Sequence, residues 1–175
     1  MRMRCAIAGL FIALLCSCSP VPETGFALAA VTVEPASRDR TVYPLPRSLT
    51  PLLPLWQAAL QDAVTRQGIF RPEASRRVSI VVKVLEFSLS GKILSVFARY
   101  QLFADPAGNP VFSADIMSNA GLSSLATGVT SLDDPAVATQ NRTQVIRAIQ
   151  DNITQFLDRL EALARQPHGA GPPRP

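Results

Sequence analysis

The chain has 175 residues, 47% of them hydrophobic, and a formal net charge of +4 at pH 7. No run of Lys or Arg is longer than Arg76-Arg77, which argues against the basic surface typical of nucleic-acid-binding proteins. The three cysteines, Cys5, Cys16 and Cys18, all lie near the N-terminus. The rest of the chain therefore has no thiol for a disulfide, a metal site or a nucleophile.

The first 17 residues have the pattern of a signal peptide. Arg2 and Arg4 precede an apolar run of 11 residues, Cys5 to Leu15, which is too short to cross a bilayer. Removing residues 1–17 leaves 158 residues (175 − 17) and a charge of about +2 (4 − 2). That length suits one domain with a sizeable core.

The stretch Leu15-Cys16-Ser17-Cys18 resembles the lipobox of bacterial lipoproteins, with an aliphatic residue three positions before a cysteine and a small residue just before it. The resemblance implies that Cys18 is the lipidation site and carries fatty acids such as palmitate. Several acyl chains hold a protein stably on a membrane, whereas one does not. Ser19 is not an aspartate, and among lipoproteins this favours the outer membrane. We therefore expect a lipid-anchored protein of the cell envelope, on the outer membrane and facing the periplasm. The alternative is an ordinary secretory signal with chance cysteines.

The mature chain divides into a Pro-rich tether over residues 18–26, a single domain over 27–165 and a tail over 166–175 that we expect to be disordered. Within the domain, hydrophobic periodicity and turn residues predict six elements. They are a strand over 27–33, a helix over 54–67 that Gly68 ends, strands over 78–90, 93–104 and 111–119, and a long helix that opens at Asp133 or Asp134. The order β-α-β-β-β-α predicts an α+β two-layer sandwich, with two helices on one face of a mostly antiparallel four-stranded sheet.

The strand over 78–90 is apolar on both faces. Strict alternation places Ile80, Val82 and Val84 on one face, and Leu85, Phe87 and Leu89 on the other with Val81. Such a strand is either covered on both sides or presents an apolar face for a partner. The candidate partner or ligand surface consists of Phe87, Leu89, Phe97, Arg99, Phe103 and Met117.

Candidate catalytic residues are few. The single histidine, His168, lies in the predicted tail, where nothing holds it near a partner group. Asp133 and Asp134 are explained as helix caps, with a carboxylate pair for acid–base chemistry as the alternative. Glu86 and Arg99 lie on neighbouring predicted strands and are expected to form a cross-strand ion pair, or else a polar pair facing a ligand. We predict no cofactor, no metal site and no enzymatic activity.

The layout of the domain resembles that of small Gram-negative envelope lipoproteins, which include auxiliary components of ABC-type transport systems. The segments that carry the resemblance are Gly68-Ile69-Phe70, 78–85, 98–102, 105–112 and 147–160 with Asn152-Ile153. It implies fold and compartment more than activity. We predict a lipid-anchored periplasmic binding or adaptor module, auxiliary to an envelope transport system, with an envelope protein as partner. The alternatives are a carrier of a lipid or small hydrophobic ligand, with its cavity between helices and sheet, and an enzyme acting on envelope glycans or lipids.

Overall fold

A computed structural model of the protein describes residues 25–36, 47–90, 92–105, 108–122, 139 and 141–165. Its elements in chain order are β1 (Ala27–Pro35), α1 (Leu52–Gln67), β2 (Arg77–Ser90), β3 (Ile93–Ala104), β4 (Phe112–Gly121) and α2 (Arg142–Arg165). A 3-10 turn, Arg47–Leu49, precedes α1. The predicted β-α-β-β-β-α order is confirmed. Cys18, Asp133, Asp134 and His168 lie outside the described residues, as do the predicted tether, the tail and the predicted start of the long helix.

The four strands form one sheet in the order β1-β2-β3-β4. β1 and β2 are parallel, because α1 carries the chain back to the end of the sheet where β1 began. β2, β3 and β4 form an antiparallel meander. α1 packs on β1, and α2 packs on β3 and β4. The sheet is thus mostly antiparallel with both helices on one face, and the α+β prediction is confirmed.

α1 ends at a glycine for a conformational reason. Gly68 has φ 63°, the left-handed conformation that a side chain disfavours, and its N–H donates to the carbonyl of Thr65 over 3.3 Å. The buried positions of α1 recur at helical spacing and face the sheet: Leu52, Trp56, Leu60 and Val64. Among the described residues, neither helix is long and apolar enough to cross a membrane.

The core lies between the helices and the inner face of the sheet. The alternate residues Leu94, Val96, Ala98, Tyr100 and Leu102 of β3 are all buried, as the alternation predicts. Tyr100 stacks on Phe156 of α2, with ring centroids 4.4 Å apart and 14° between the planes. Burial raises the pKa of the Tyr100 phenol, so this side chain stays neutral in the folded protein. The two rings therefore join β3 to α2 as an apolar contact.

A buried amide joins α2 to the sheet beside this aromatic contact. Asn152 is completely buried, and its Nδ2 lies 3.3 Å from the carbonyl of Val96, 3.2 Å from that of Ile116 and 3.2 Å from Oγ of Ser118. The Ser118 hydroxyl donates in turn to the carbonyl of Ala148 on α2, over 2.7 Å. These bonds fix the position of α2 along β3 and β4, because an unpaired polar group here would be costly.

α2 also covers the outer edge of β4. Gln155 Nε2 donates to the Met117 carbonyl over 3.4 Å, and Arg159 Nη1 donates to the Asp115 carbonyl over 3.0 Å. The two donors are one helical turn apart, and the two acceptors are two residues apart on the strand, so both spacings are about 6–7 Å. Side chains of α2 thus satisfy backbone groups that an edge strand would otherwise leave open to another chain.

A bulge in β2 overturns part of the predicted face assignment. Val84 pairs with Ala98 and Glu86 pairs with Phe97, so Leu85 is an extra residue with no partner on β3. One extra residue reverses the sides of all side chains that follow. Phe87 then lies on the inner face at 6% exposure, edge-on to Trp56 with ring centroids 6.4 Å apart. The prediction that Phe87 and Leu89 lie on the face opposite the helices is wrong, and Leu89 packs against the core as well.

Candidate interaction surface

The outer face of the sheet is the side away from α1 and α2, and neither of these helices packs on it. We define it by its alternate residues on the meander: Val81, Lys83, Glu86 and Ser88 of β2, Ser95, Phe97, Arg99, Gln101 and Phe103 of β3, and Ser113, Asp115, Met117 and Asn119 of β4. Of the six residues predicted to form the surface, this face contains Phe97, Arg99, Phe103 and Met117. Phe87 and Leu89 lie on the opposite side.

Cross-strand pairs on β3 and β4 organise the centre of this face. Ser95 faces Asn119, Phe97 faces Met117, and Arg99 faces Asp115, in three consecutive pairs. Neighbouring pairs are two residues apart on each strand, about 7 Å.

Phe97 and Met117 form the apolar centre of the outer face. Met117 is 58% exposed, the largest exposure among the described large hydrophobic residues, and Phe97 is half-buried by its neighbours. On its β2 side, Phe97 faces Glu86. An exposed thioether and an aromatic ring side by side make an adaptable apolar contact site of the kind that protein interfaces use.

Phe103 lies apart from this centre. It faces Ser79 at the end of β3, six residues from Phe97, which corresponds to about 20 Å along the strand. The structure therefore brings together Phe97, Arg99 and Met117 and leaves Phe103 as a separate apolar residue.

The pair Arg99–Asp115 fixes the polar border of the apolar centre. Arg99 Nε lies 2.6 Å from Oδ1 of Asp115, and Nη2 lies 2.7 Å from Oδ2, a bidentate arrangement. The hydrogen bond from Arg99 lowers the pKa of the Asp115 carboxyl, opposed by partial burial, and the same bond raises the pKa of Arg99. Both side chains are more than 40% exposed, so solvent weakens the attraction.

The predicted ion pair between Glu86 and Arg99 is wrong for the same reason as the assignment of Phe87. The extra residue Leu85 moves Glu86 opposite Phe97, and Arg99 faces Lys83 on that side. Two cations directly opposite each other repel, and the negative charge of Asp115 on the other neighbouring strand offsets this repulsion. Only the strand register shows that Asp115 is the partner of Arg99.

A recess on the helix side of the domain is much smaller than a typical ligand pocket. It has a volume of about 60 Å³ and lies between α1 and α2, where Leu55, Trp56, Ala59, Ile146 and Ile149 contribute most of its apolar wall. Ligand pockets usually measure about 300–1,000 Å³. The described residues contain no group of three or more His, Cys, Asp or Glu side chains placed to hold a metal ion.

Comparison with known proteins gives similarities of layout. No protein-family model and no curated protein matches the chain. Among solved structures, the hypothetical protein CT253 of Chlamydia trachomatis is 9% identical with a TM-score of 0.48, and the match covers 81% of this chain and 98% of that one. Protein XCC0632 of Xanthomonas campestris, of family DUF330, is 13% identical with a TM-score of 0.41, over 81% and 91% of the two chains.

A minor lipoprotein of Acinetobacter baumannii is 16% identical with a TM-score of 0.38, over 77% of this chain and 91% of that one. Lipoproteins of Gram-negative bacteria are thus among the solved structures to which this chain is similar.

Proposed function

We propose that the protein is a lipid-anchored module of the cell envelope, attached through Cys18, that binds another envelope protein through the outer face of its sheet. The single observation that carries the proposal is the apolar centre on this face, where Met117 is 58% exposed beside Phe97. A polar frame surrounds it, with Arg99–Asp115 on one side and a Ser95–Asn119 hydrogen bond of 2.7 Å on the other.

This arrangement resembles a small protein interface. Interfaces combine an apolar centre with a polar rim, and their energy is concentrated in a few aromatic, Met or Arg side chains. The strands hold the backbone of these residues in place, so binding orders only their side chains and little backbone entropy is lost. The partner is a component of an envelope transport system, the class to which the motif resemblance points. The role is adaptor rather than enzyme.

The carrier hypothesis receives less support from the described residues. A lipid carrier needs an apolar cavity that encloses at least one acyl chain, and the recess between α1 and α2 has about 60 Å³. Tyr100, Trp56 and Phe156 fill the space between helices and sheet beneath it.

A matched pair of substitutions separates the two hypotheses. Met117 and Leu55 are both about half exposed, at 58% and 51%, but Met117 lies on the outer face and Leu55 lines the recess. A photo-crosslinking amino acid at each position in intact cells should give a specific protein adduct from position 117 and none from position 55. Met117→Glu should then abolish the adduct formed by a crosslinker at Phe97, whereas Leu55→Glu should not.

A bound lipid in native mass spectrometry of the purified protein, lost on Leu55→Glu and kept on Met117→Glu, would instead support the carrier hypothesis. The anchor itself has a separate test. Labelled palmitate should enter the wild-type protein and not the Cys18→Ser variant.

A further inference from the structure

The chain leaves the domain at one end of the sheet, which we call the tether end and define by Phe26, Arg71, Arg76 and Arg77. Backbone hydrogen bonds hold these residues together. Arg71 N–H donates to the Phe26 carbonyl over 2.8 Å, and Ala27 N–H donates to the Arg76 carbonyl, also over 2.8 Å. The Arg76 guanidinium lies over the Phe26 ring, 4.7 Å from its centroid. The position of the arginines is therefore fixed relative to the point where the tether begins.

The length of the tether determines which end of the domain can approach the membrane. From Cys18 to Gly25 there are seven peptide steps (25 − 18), which span at most about 25 Å. β2 has 14 residues and is about 46 Å long, so Lys92 at the far end of the sheet lies farther from the tether end than the tether can reach. A domain anchored at Cys18 cannot invert to place its far end on the bilayer.

The composition of the tether end suits a phospholipid surface. Arg71, Arg76 and Arg77 are exposed, and within the described part of the chain none of them has a carboxylate within ion-pair distance. Among the described residues, Glu73 and Asp105 also lie at this end, and Glu161 lies about one turn before the end of α2, so the three arginines equal these carboxylates in number. Both helices also end at this end of the sheet.

Exposed apolar side chains accompany the arginines. Val111, just before β4, is 52% exposed, and Leu163 in the last turn of α2 is 40% exposed, both at this end of the sheet. Guanidinium groups that can bind phosphate, next to aliphatic and aromatic groups, are the combination that membrane interfaces favour.

We infer that the tether end docks on anionic phospholipid headgroups, so that the long axis of the sheet stands away from the bilayer and the outer face is turned sideways toward a neighbouring protein. This inference rests on the proposed lipid anchor. Each arginine next to an anionic surface is worth about a fivefold gain in binding, so three arginines change the ratio of docked to undocked molecules about a hundredfold.

The test uses the mature lipidated protein, in which Cys18 is acylated, so that an introduced cysteine is the single free thiol. Glu73→Cys at the tether end and Lys92→Cys at the far end each carry a fluorophore, and the protein is placed in vesicles that contain a headgroup-linked quencher. In vesicles of phosphatidylglycerol and phosphatidylcholine, the label at 73 should be strongly quenched and the label at 92 should not. Quenching at 73 should fall in pure phosphatidylcholine and at 1 M salt, where the Debye length is about 3 Å.

Two charge-matched variants identify the residues responsible. Arg71→Gln with Arg76→Gln and Arg77→Gln should reduce quenching at 73 to the level in neutral vesicles. Lys92→Gln with Arg142→Gln and Arg147→Gln removes three exposed charges nearer the far end, and should leave quenching at 73 unchanged. Circular dichroism before reconstitution checks that both variants are folded.

Each other outcome has a definite meaning. Equal quenching at 73 in anionic and neutral vesicles, or in the two charge variants, would overturn the inference. If the label at position 73 is shielded from solvent in native membranes but not in lipid vesicles, this end binds a protein, and the inference is overturned. Protein that floats with vesicles without quenching at 73 refutes the docking alone, whereas protein that does not float at all refutes the lipid anchor.

Discussion

Phe87 and Phe97 lie on neighbouring strands of one hairpin but in opposite environments, and replacing each with alanine measures the difference. Phe87 is 6% exposed and contacts Trp56, whereas Phe97 is half-buried on the outer face. Phe87→Ala removes a buried ring and leaves a cavity, which costs about 3–5 kcal/mol of unfolding free energy. The edge-on contact with Trp56 is worth about 0.5–1.5 kcal/mol of that loss.

Phe97→Ala opens no cavity in the core and should cost about 1 kcal/mol or less, since its neighbours are the outer-face residues Glu86 and Met117. Urea unfolding followed by tryptophan fluorescence gives both values, because the single tryptophan, Trp56, reports the core directly. At about 2–4 °C per kcal/mol, Phe87→Ala should lower the Tm by about 10 °C. Equal losses for the two variants, or a larger loss for Phe97→Ala, would refute the bulge at Leu85 as the cause of the reversed faces.

Three further predictions concern the contacts of α2 and the outer-face ion pair. Asn152→Ala should cost about 2–4 kcal/mol in urea unfolding, because it leaves a cavity and deprives buried acceptors of their donor, while Thr154→Ala on the exposed side of α2 should cost less than 1 kcal/mol. Asp115→Asn should lower the free energy of unfolding at pH 7 by about 0.2–1 kcal/mol. Because the pKa of Asp115 is lowered in the folded protein, the ion pair stabilises the fold above the pKa of the unfolded chain, near 4, and this stabilisation is lost as the pH falls below that value. Unfolding curves of wild type and variant measured at pH 2–7 should therefore converge in acid. Gln155→Ala with Arg159→Ala should open the edge of β4 and produce concentration-dependent association in light scattering, and a variant that stays monomeric would show that the two side chains do not protect the edge.

Sequence reasoning predicted the fold because its strongest signals were local. The alternation in β3 and β4, the helical spacing in α1 and the glycine at position 68 each determine an element without reference to the rest of the chain. The orientation of Met117 followed from the same alternation. These predictions required only the periods of strands and helices.

The bulge was not predictable by the same reasoning. Leu85 is an ordinary apolar residue in a run of apolar residues, and its extra position becomes visible only when β2 is paired with β3. The wrong faces of Phe87 and Leu89 and the wrong pairing of Glu86 all follow from this one residue. Asn152 carried a weak signal, since it lies on the apolar seam of α2 where an amide must find a buried partner.

The parallel pairing of β1 with β2 has a mechanical consequence. In the proposed lipid-anchored state, the anchored segment leads into the start of β1, and the ladder continues from Ala27 to Pro35 along β2. A force that draws the domain away from the bilayer along its long axis therefore loads these hydrogen bonds together in shear, rather than opening them one at a time. A partner held on β3 and β4 would transmit such a force across the whole sheet. The strand next to the anchor is thus oriented so that the domain resists extraction as a single unit.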